Sequence, residues 1–265
     1  GVQTCALPIC EGEVVLAVPD PELRERLAGQ LQLLDQLRRP RLLEVAPQQP
    51  QQLDAQLEST HRFEWFAARQ PFRGLEATCR EAWLEQLTQR AAPGAQARLL
   101  FSHPTLGPAG SLATWLKRQS RGGQRSAPPP ALLVEAQAAE AALLAAETQA
   151  MLAVQEGLEQ RGWQVLGESW QEELELPLGE GLLQRWFAPG ADYRARLEDA
   201  LAATPDAATA PDALASLFHH HLGALLPQPL QHTLLKASRT PPEERRQGRV
   251  RERTKKPRPK PGPGG

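Results

Sequence analysis

The chain has 265 residues, of which 41% are hydrophobic, 5% aromatic and 23% charged, and its mean hydropathy is −0.45; this suffices for one sizeable core or two small ones and excludes a wholly disordered protein. With 25 prolines and no apolar run near ~18 residues, no membrane-spanning helix is expected, and the protein should be soluble. The net charge of −1 hides an asymmetry, because from Lys236 onward there are 11 Lys/Arg against 3 Asp/Glu and before it 19 against 28, an acidic body followed by a basic tail.

Residues 1–9, Gly-Val-Gln-Thr-Cys-Ala-Leu-Pro-Ile, lack the charged start and apolar stretch of a signal peptide. Residue for residue they resemble the translation of a common short-read sequencing adapter. They are set aside as artefactual, with the natural sequence expected to begin abruptly near Cys10 and its preceding part missing. Cys5, Cys10 and Cys79 cannot form a disulfide framework, and the Cys5/Cys10 spacing matches no zinc knuckle. A reducing, cytoplasmic setting is therefore expected.

The apolar run over residues 13–18, closed by Pro19-Asp20-Pro21, predicts a buried strand. Asp20 and Pro21 then start a helix carrying Leu23, Leu27, Leu31, Leu34 and Leu37 at helical spacing. A second short strand is expected over 41–45, a Gln-rich loop with a short helix over 48–56, and a third strand over 62–67 containing Phe63, Trp65 and Phe66. Residues 75–89 repeat Leu75, Cys79, Ala82, Trp83 and Leu87 as a helix, Ala92-Pro93-Gly94 breaks it, and 97–101 read as a fourth strand. Strands alternating with helices imply right-handed crossovers and a parallel sheet covered on both faces.

Farther on, a helix over 111–119 leads to a flexible break at 120–130 and then to a long Ala/Leu/Glu/Gln helix over 131–161, capped by Gly162, with Gly157 expected to bend or loosen it. Two strands, 163–166 and 170–176, precede helices over 181–187, 193–202 and 211–225, and 230–236 read as a last strand. Residues 240–265 collapse into Pro, Gly, Arg and Lys and are expected to be disordered.

This order, with Val14-Val15-Leu16-Ala17-Val18-Pro19-Asp20-Pro21-Glu22-Leu23, the stretch from Phe63 to Phe72, and Ala92-Pro93-Gly94, resembles the second half of the class I S-adenosylmethionine-dependent methyltransferases. The first stretch is similar to the family's second strand and following helix, the second to its fourth strand, the third to the turn before its fifth. Gly162-Trp163-Gln164-Val165, Leu182-Leu183-Gln184-Arg185-Trp186-Phe187 and the stretch from Leu222 to Lys236 resemble, more narrowly, the methyltransferase-like region fused behind replication-associated recombination AAA+ ATPases in some bacteria.

The resemblance, covering residues 10–239, implies an α/β fold: a truncated Rossmann-like methyltransferase sheet with a late antiparallel strand pair. The family's first strand and its glycine-rich cofactor loop are absent, since no Gly-x-Gly run precedes Glu13. That strand lies centrally in the family, so its loss would bare both neighbours, and the 13–18 strand is expected either to re-pair with 62–67 or to leave the fold unstable. The resemblance places the cofactor pocket at Val18, Ala46 and Ala67. Valine and alanine side chains cannot accept the hydrogen bonds that the family's acids take from ribose and adenine, and Asp20 reads as a helix cap.

Of the remaining candidates, Phe218-His219-His220-His221 could suggest a metal site, but consecutive helical residues diverge by about 100° and a solvated face is expected. His61, His103 and His232 are scattered singly and read as structural or surface residues, and no Cys79/His pair is supported. Glu172, Glu173 and Glu175 read as charges guarding a strand edge rather than acid/base carboxylates. Trp163, Trp170 and Trp186, with Phe187, read as core.

In the tail, Arg249, Arg251, Arg253, Lys255, Lys256, Arg258 and Lys260 would attract nucleic-acid phosphates without sequence preference; a solubilising tail or read-through sequence is the other reading. No Gly-x-x-x-x-Gly-Lys-Ser/Thr loop is present, so this stretch cannot itself hydrolyse ATP. The expectation is a vestigial, non-catalytic methyltransferase-like accessory domain from such an AAA+ ATPase fusion, with no cofactor of its own, no metal and no membrane contact. The alternative is an active methyltransferase whose glycine loop lies upstream, in which case the full-length parent would bind S-adenosylmethionine.

Overall fold

The computed structural model describes residues 15–18, 21–32, 41–72, 74–120, 130–202 and 209–240. The adapter-like segment, the 121–129 break, the end of the first predicted helix and the basic tail lie outside them. The chain divides into two compact units, residues 1–100, 153–168 and 234–265 in the first and 101–152 and 169–233 in the second.

Along the chain run β1 (Val15–Val18), α1 (Pro21–Leu31), β2 (Arg41–Glu44), α2 (Gln52–Gln56), β3 (Phe63–Arg69), α3 (Ala77–Arg90), β4 (Ala91–Pro104), α4 (Pro108–Ser120), α5 (Ala131–Gln160), β5 (Trp163–Pro177), α6 (Glu180–Phe187), α7 (Asp192–Leu201), α8 (Ala210–His219) and β6 (Leu225–Arg239). β1 pairs in parallel with β2, Val15 opposite Arg41 and Val18 opposite Glu44. β3 pairs in parallel with β4 and opens a four-stranded sheet in the order β3-β4-β6-β5.

β6 is antiparallel to β4, because Arg239 donates to the Ala91 carbonyl at one end while the Thr105 N–H reaches the Pro229 carbonyl (2.9 Å) at the other. It is antiparallel to β5 as well, Lys236 pairing with Glu168 and Thr233 with Ser169 (3.0 Å). A doubly wound sheet runs third, second, first, fourth, fifth along its edge. The parallel pairs β1–β2 and β3–β4 are pairings of that kind, and the antiparallel β6 makes the four-stranded sheet mixed. The fold is α/β and Rossmann-like.

In the first unit, Val15, Leu43, Val45 and Leu57 are buried, with Leu53, Phe63 and Trp83 packed on them. α3 and α5 lie against each other here. A Cβ at Gly157 would run into a Leu84 methyl group, and Arg161 spans to Glu81 (2.9 Å) and Glu85 (3.3 Å). Gly157 therefore permits close packing, and α5 is unbroken across it, contrary to the bend expected from glycine's weak helix propensity. Gly162 ends α5 with φ +82, the left-handed conformation that glycine adopts without strain.

The second unit is a helical core. Ala109, Leu112, Leu133, Ala136, Leu183, Phe187, Leu197, Leu214, Phe218 and Leu226 are buried together, and Phe218 meets Trp186 edge-on at 5.7 Å and Phe187 tilted at 5.4 Å between ring centres. Such aromatic geometry adds to the area buried.

Several expectations are corrected. The 163–166 and 170–176 segments form one strand, because Gly167 keeps an extended backbone and a Cβ there would sit at ordinary contact, 3.7 Å, from Leu235. Ala92-Pro93-Gly94 does not separate helix from strand; β4 begins at Ala91, and the turn residues become a bulge that shifts the register between Phe63 and Trp65, with Gly94 at φ +78. α8 stops at His219, since Gly223 (φ +86) turns the chain and its N–H bonds the Leu178 carbonyl at 2.8 Å. β6 is correspondingly longer than 230–236. Among the described residues the strand at Val15–Val18 is not paired with β3 as expected: β1 takes β2 and β3 takes β4.

Candidate functional site

In open parallel sheets, ligands sit beyond the carboxyl ends of the strands, and β1 and β2 deliver Val18 and Ala46 to the same such end. Val18 is the last residue of β1, opposite Glu44. Ala46 lies two residues past β2 and is half-buried; its N–H donates to Gln52 Oε1 (2.8 Å), and Gln52 Nε2 donates on to Gln49 (2.5 Å). The neighbouring Pro47 carbonyl accepts from Trp83 Nε1 (2.7 Å) and the Cys79 thiol (3.1 Å). The backbone groups that follow β2 are thus satisfied by the protein's own side chains, and Cys79 is absorbed in that network. Ala67 is in β3, opposite Arg98 and two residues short of the strand's end, in the other sheet.

Past β3 the backbone is strained. Gln70 (φ 52) and Phe72 (φ 63) are left-handed without being glycine, and Gly74 (φ 72) follows. Each such non-glycine residue costs of order 1–3 kcal/mol and persists where its surroundings over-determine it. Here the Gln70 N–H bonds the Leu100 carbonyl at 2.7 Å, and Pro71 is buried.

Two clusters in the second unit were not foreseen. At the first turn of α4, Glu140 of α5 accepts from the N–H groups of Ala109 (2.7 Å) and Gly110 (2.9 Å) and from the Tyr193 hydroxyl (2.6 Å). It is 4% exposed. Burial pushes the carboxyl above its usual range, against the lowering effect of the Tyr193 bond and the two N–H groups; burial and the nearby carboxylate drive the Tyr193 phenol upward as well. A Cβ at Gly107 would collide with the Glu140 carboxyl, so the chain enters α4 as glycine. The arrangement is an anion site at a helix N-terminus filled by the protein's own carboxylate. A signal existed in the sequence: Glu140 continues the buried stripe of Leu133 and Ala136 at helical spacing.

The other cluster spans β4, β6 and β5. His232 Nδ1 lies 2.8 Å from Ser102 Oγ, its Nε2 lies 3.3 Å from Glu172, and its ring stacks on Trp170 at 5.2 Å. Glu172, expected from the sequence to guard a strand edge, is thus a partner of this histidine. Trp170 is 45% exposed, which corrects its placement in the core. Trp163 is buried and Trp186 packs on the core, as expected.

Phe218 is fully buried, and the three following histidines diverge. His219 faces Glu180 at 3.0 Å, a His220 ring N–H donates to the Ser216 carbonyl, and His221 lies against Trp115 at 5.3 Å. Arg249, Arg251, Arg253, Lys255, Lys256, Arg258 and Lys260 lie outside the described residues. Among the described residues, no helix is long and apolar enough to cross a membrane.

Neither a family model nor a curated protein matches the sequence. Among solved structures the chain is similar to the YcgJ protein of Bacillus subtilis, with 11% identity over 84% of this chain and 81% of that one and a TM-score of 0.42. It is similar also to a Bacillus halodurans protein provisionally assigned as a methyltransferase (10% identity, 85% and 82% coverage, TM-score 0.41) and to the cyclopropane synthase MmaA2 of Mycobacterium tuberculosis (11% identity, 85% and 69% coverage, TM-score 0.37).

Proposed function

We propose that this chain is a vestigial, non-catalytic methyltransferase-like domain whose remaining role is packing or partner contact, within a replication-associated recombination AAA+ ATPase. The observation that carries this reading is the end of β1–β2: the two positions matching the family's ribose and adenine acceptors are Val18 and Ala46, and the Ala46 N–H is already committed to Gln52. These residues do not fit S-adenosylmethionine, so no methyl-transfer step is derived. Isothermal titration of the full parent protein with S-adenosylmethionine should show no binding, and a micromolar affinity would overturn the reading.

A second reading, an active methyltransferase completed from upstream, is favoured by the topology. Among the described residues, β1 and β3 each end a sheet, which leaves each an edge that a further strand could take. Extending the gene upstream separates the two. A Gly-x-x-x-x-Gly-Lys-Ser/Thr loop supports the ATPase fusion, and a Gly-x-Gly-x-Gly turn after a strand supports the enzyme. For the tail, phosphate contact by the seven cationic residues from Arg249 to Lys260 remains the proposed role; filter binding that collapses as salt rises is the expected result.

A further inference from the structure

β4, β6 and β5 are neighbours in that order in the four-stranded sheet, and each gives one polar side chain to a line of hydrogen bonds within the second unit. Glu172 of β5 lies 3.3 Å from His232 Nε2, and His232 Nδ1 lies 2.8 Å from the Ser102 hydroxyl of β4. The direction of these bonds follows from the groups. A carboxylate only accepts, so the one proton of a neutral His232 ring is on Nε2, and the Ser102 hydroxyl donates to the lone pair left on Nδ1. The imidazole is buried and stacks on Trp170 at 5.2 Å with 19° between the ring planes.

A histidine kept for packing alone would be served by any donor and any acceptor. Here the order is carboxylate, imidazole, hydroxyl, the order that activates a serine: a base beside it and a third group that orients the base. The ring is used the opposite way round from the familiar triad, and either nitrogen serves as base once the other carries the proton. Ser102 is half-buried and the Glu172 side chain is 54% exposed. Trp170 is two residues from Glu172 and shares its strand face, so an aromatic ring can lie against the open part of the tryptophan. The Glu172 carboxylate disfavours an anion there, which leaves an uncharged aryl ester as the fitting substrate.

We propose that Ser102 is a nucleophile that takes the acyl group of uncharged aryl esters, with His232 as its general base and Glu172 positioning the ring. The Ser102 oxygen attacks the ester carbonyl as its proton passes to His232 Nδ1. The bond from the carbonyl carbon to the aryl oxygen breaks, and the phenol leaves with that proton. Water, giving a proton to His232, then cleaves the acyl-serine, and the proton returns to Ser102 as the carboxylic acid departs. Ester and water are consumed as acid and phenol appear. This goes beyond the proposed function, which concerns methyl transfer at the end of β1–β2, and does not depend on it.

Acid-quenched reactions of the full chain with p-nitrophenyl acetate, mapped by peptide mass spectrometry, test the site. Ser169 is the internal reference, being exposed and bonded to Thr233 (3.0 Å) rather than to a histidine. A hydroxylamine-labile acetyl group should appear on Ser102 about a hundredfold faster than on Ser169, within the range that general-base assistance supplies. His232→Gln should remove that advantage, and Ser102→Cys, which keeps a nucleophile, should retain labelling at position 102. Glu172→Gln should lower the limiting rate and leave the half-saturating ester concentration unchanged, whereas Trp170→Ala should raise that concentration. Equal labelling of Ser102 and Ser169 in the wild type, with p-nitrophenolate release unchanged in Ser102→Ala, would overturn the proposal. So would undiminished Ser102 labelling in a His232→Gln protein that unfolds in urea at the wild-type midpoint.

Discussion

Replacing Glu140 probes the self-filled anion site at the start of α4. One carboxylate oxygen takes the Ala109 N–H and the Tyr193 hydroxyl, and the other takes the Gly110 N–H. Glu140→Gln keeps one acceptor oxygen and turns an NH₂ toward a backbone donor, leaving that buried donor unsatisfied at a cost of about 1–3 kcal/mol. Glu140→Ala removes both oxygens from a site that is 4% exposed and should cost roughly 3–5 kcal/mol, as for other broken buried charge networks.

The pH dependence distinguishes this from simple loss of packing. Burial raises the Glu140 carboxyl above its ordinary value of 4.5, so the folded state binds a proton more readily than the unfolded state does. The stability linked to this group is therefore complete below pH 4.5 and declines as pH rises through the higher folded value. A glutamine does not titrate, so the gap between wild type and Glu140→Gln should be widest in acid and narrow toward neutrality. Tyr193→Phe removes a bond that lowers the Glu140 value and should move the window upward. Urea unfolding across a pH series, with the denaturant slope unchanged, measures this, and parallel wild-type and Glu140→Gln curves over the whole range would refute the reasoning.

At Gly157, alanine gains about 1 kcal/mol of helix propensity but its methyl meets Leu84. Overpacking at about 1–3 kcal/mol should win, lowering the melting temperature, with part of the loss recovered beside Leu84→Ala. Arg90 holds Asp54 below its ordinary carboxyl range through a 2.6 Å bond, so that contribution is present above pH 3.8 and disappears as pH falls through the lower folded value. Asp54→Asn should therefore be less stable at neutral pH and converge with the wild type in acid denaturation. Phe218→Ala, at a fully buried site between Trp186 and Phe187, should cost about 3–5 kcal/mol in urea unfolding, whereas Trp170→Ala at the exposed face of β5 should cost far less.

The residue types at the end of β1–β2 were legible because they depend on local chemistry. Pro19-Asp20-Pro21 marks the junction between β1 and α1, Val18 and Ala46 have no side-chain acceptor in any conformation, and strand–helix alternation implies parallel pairing. The Glu140 and His232 clusters were harder to read, since their partners are 30 or more positions apart (Gly110 to Glu140, Ser102 to His232) and no local period announces such pairs. Glycine misled for the same reason: at Gly157 its weak propensity suggested a bend, and the decisive term was the neighbour Leu84.

The sequence by itself determined where strands and helices alternate, where α5 stops at Gly162, and which chemical groups are missing from the end of β1–β2, because periodicity, capping and side-chain chemistry are properties of short stretches. Tertiary structure alone decided that β1 pairs with β2, that β6 enters between β4 and β5, that a glutamate fills the first turn of α4, and that Trp170 lies open at a sheet margin. Those outcomes depend on which surfaces bury one another, a free-energy balance taken over residues far apart in the chain.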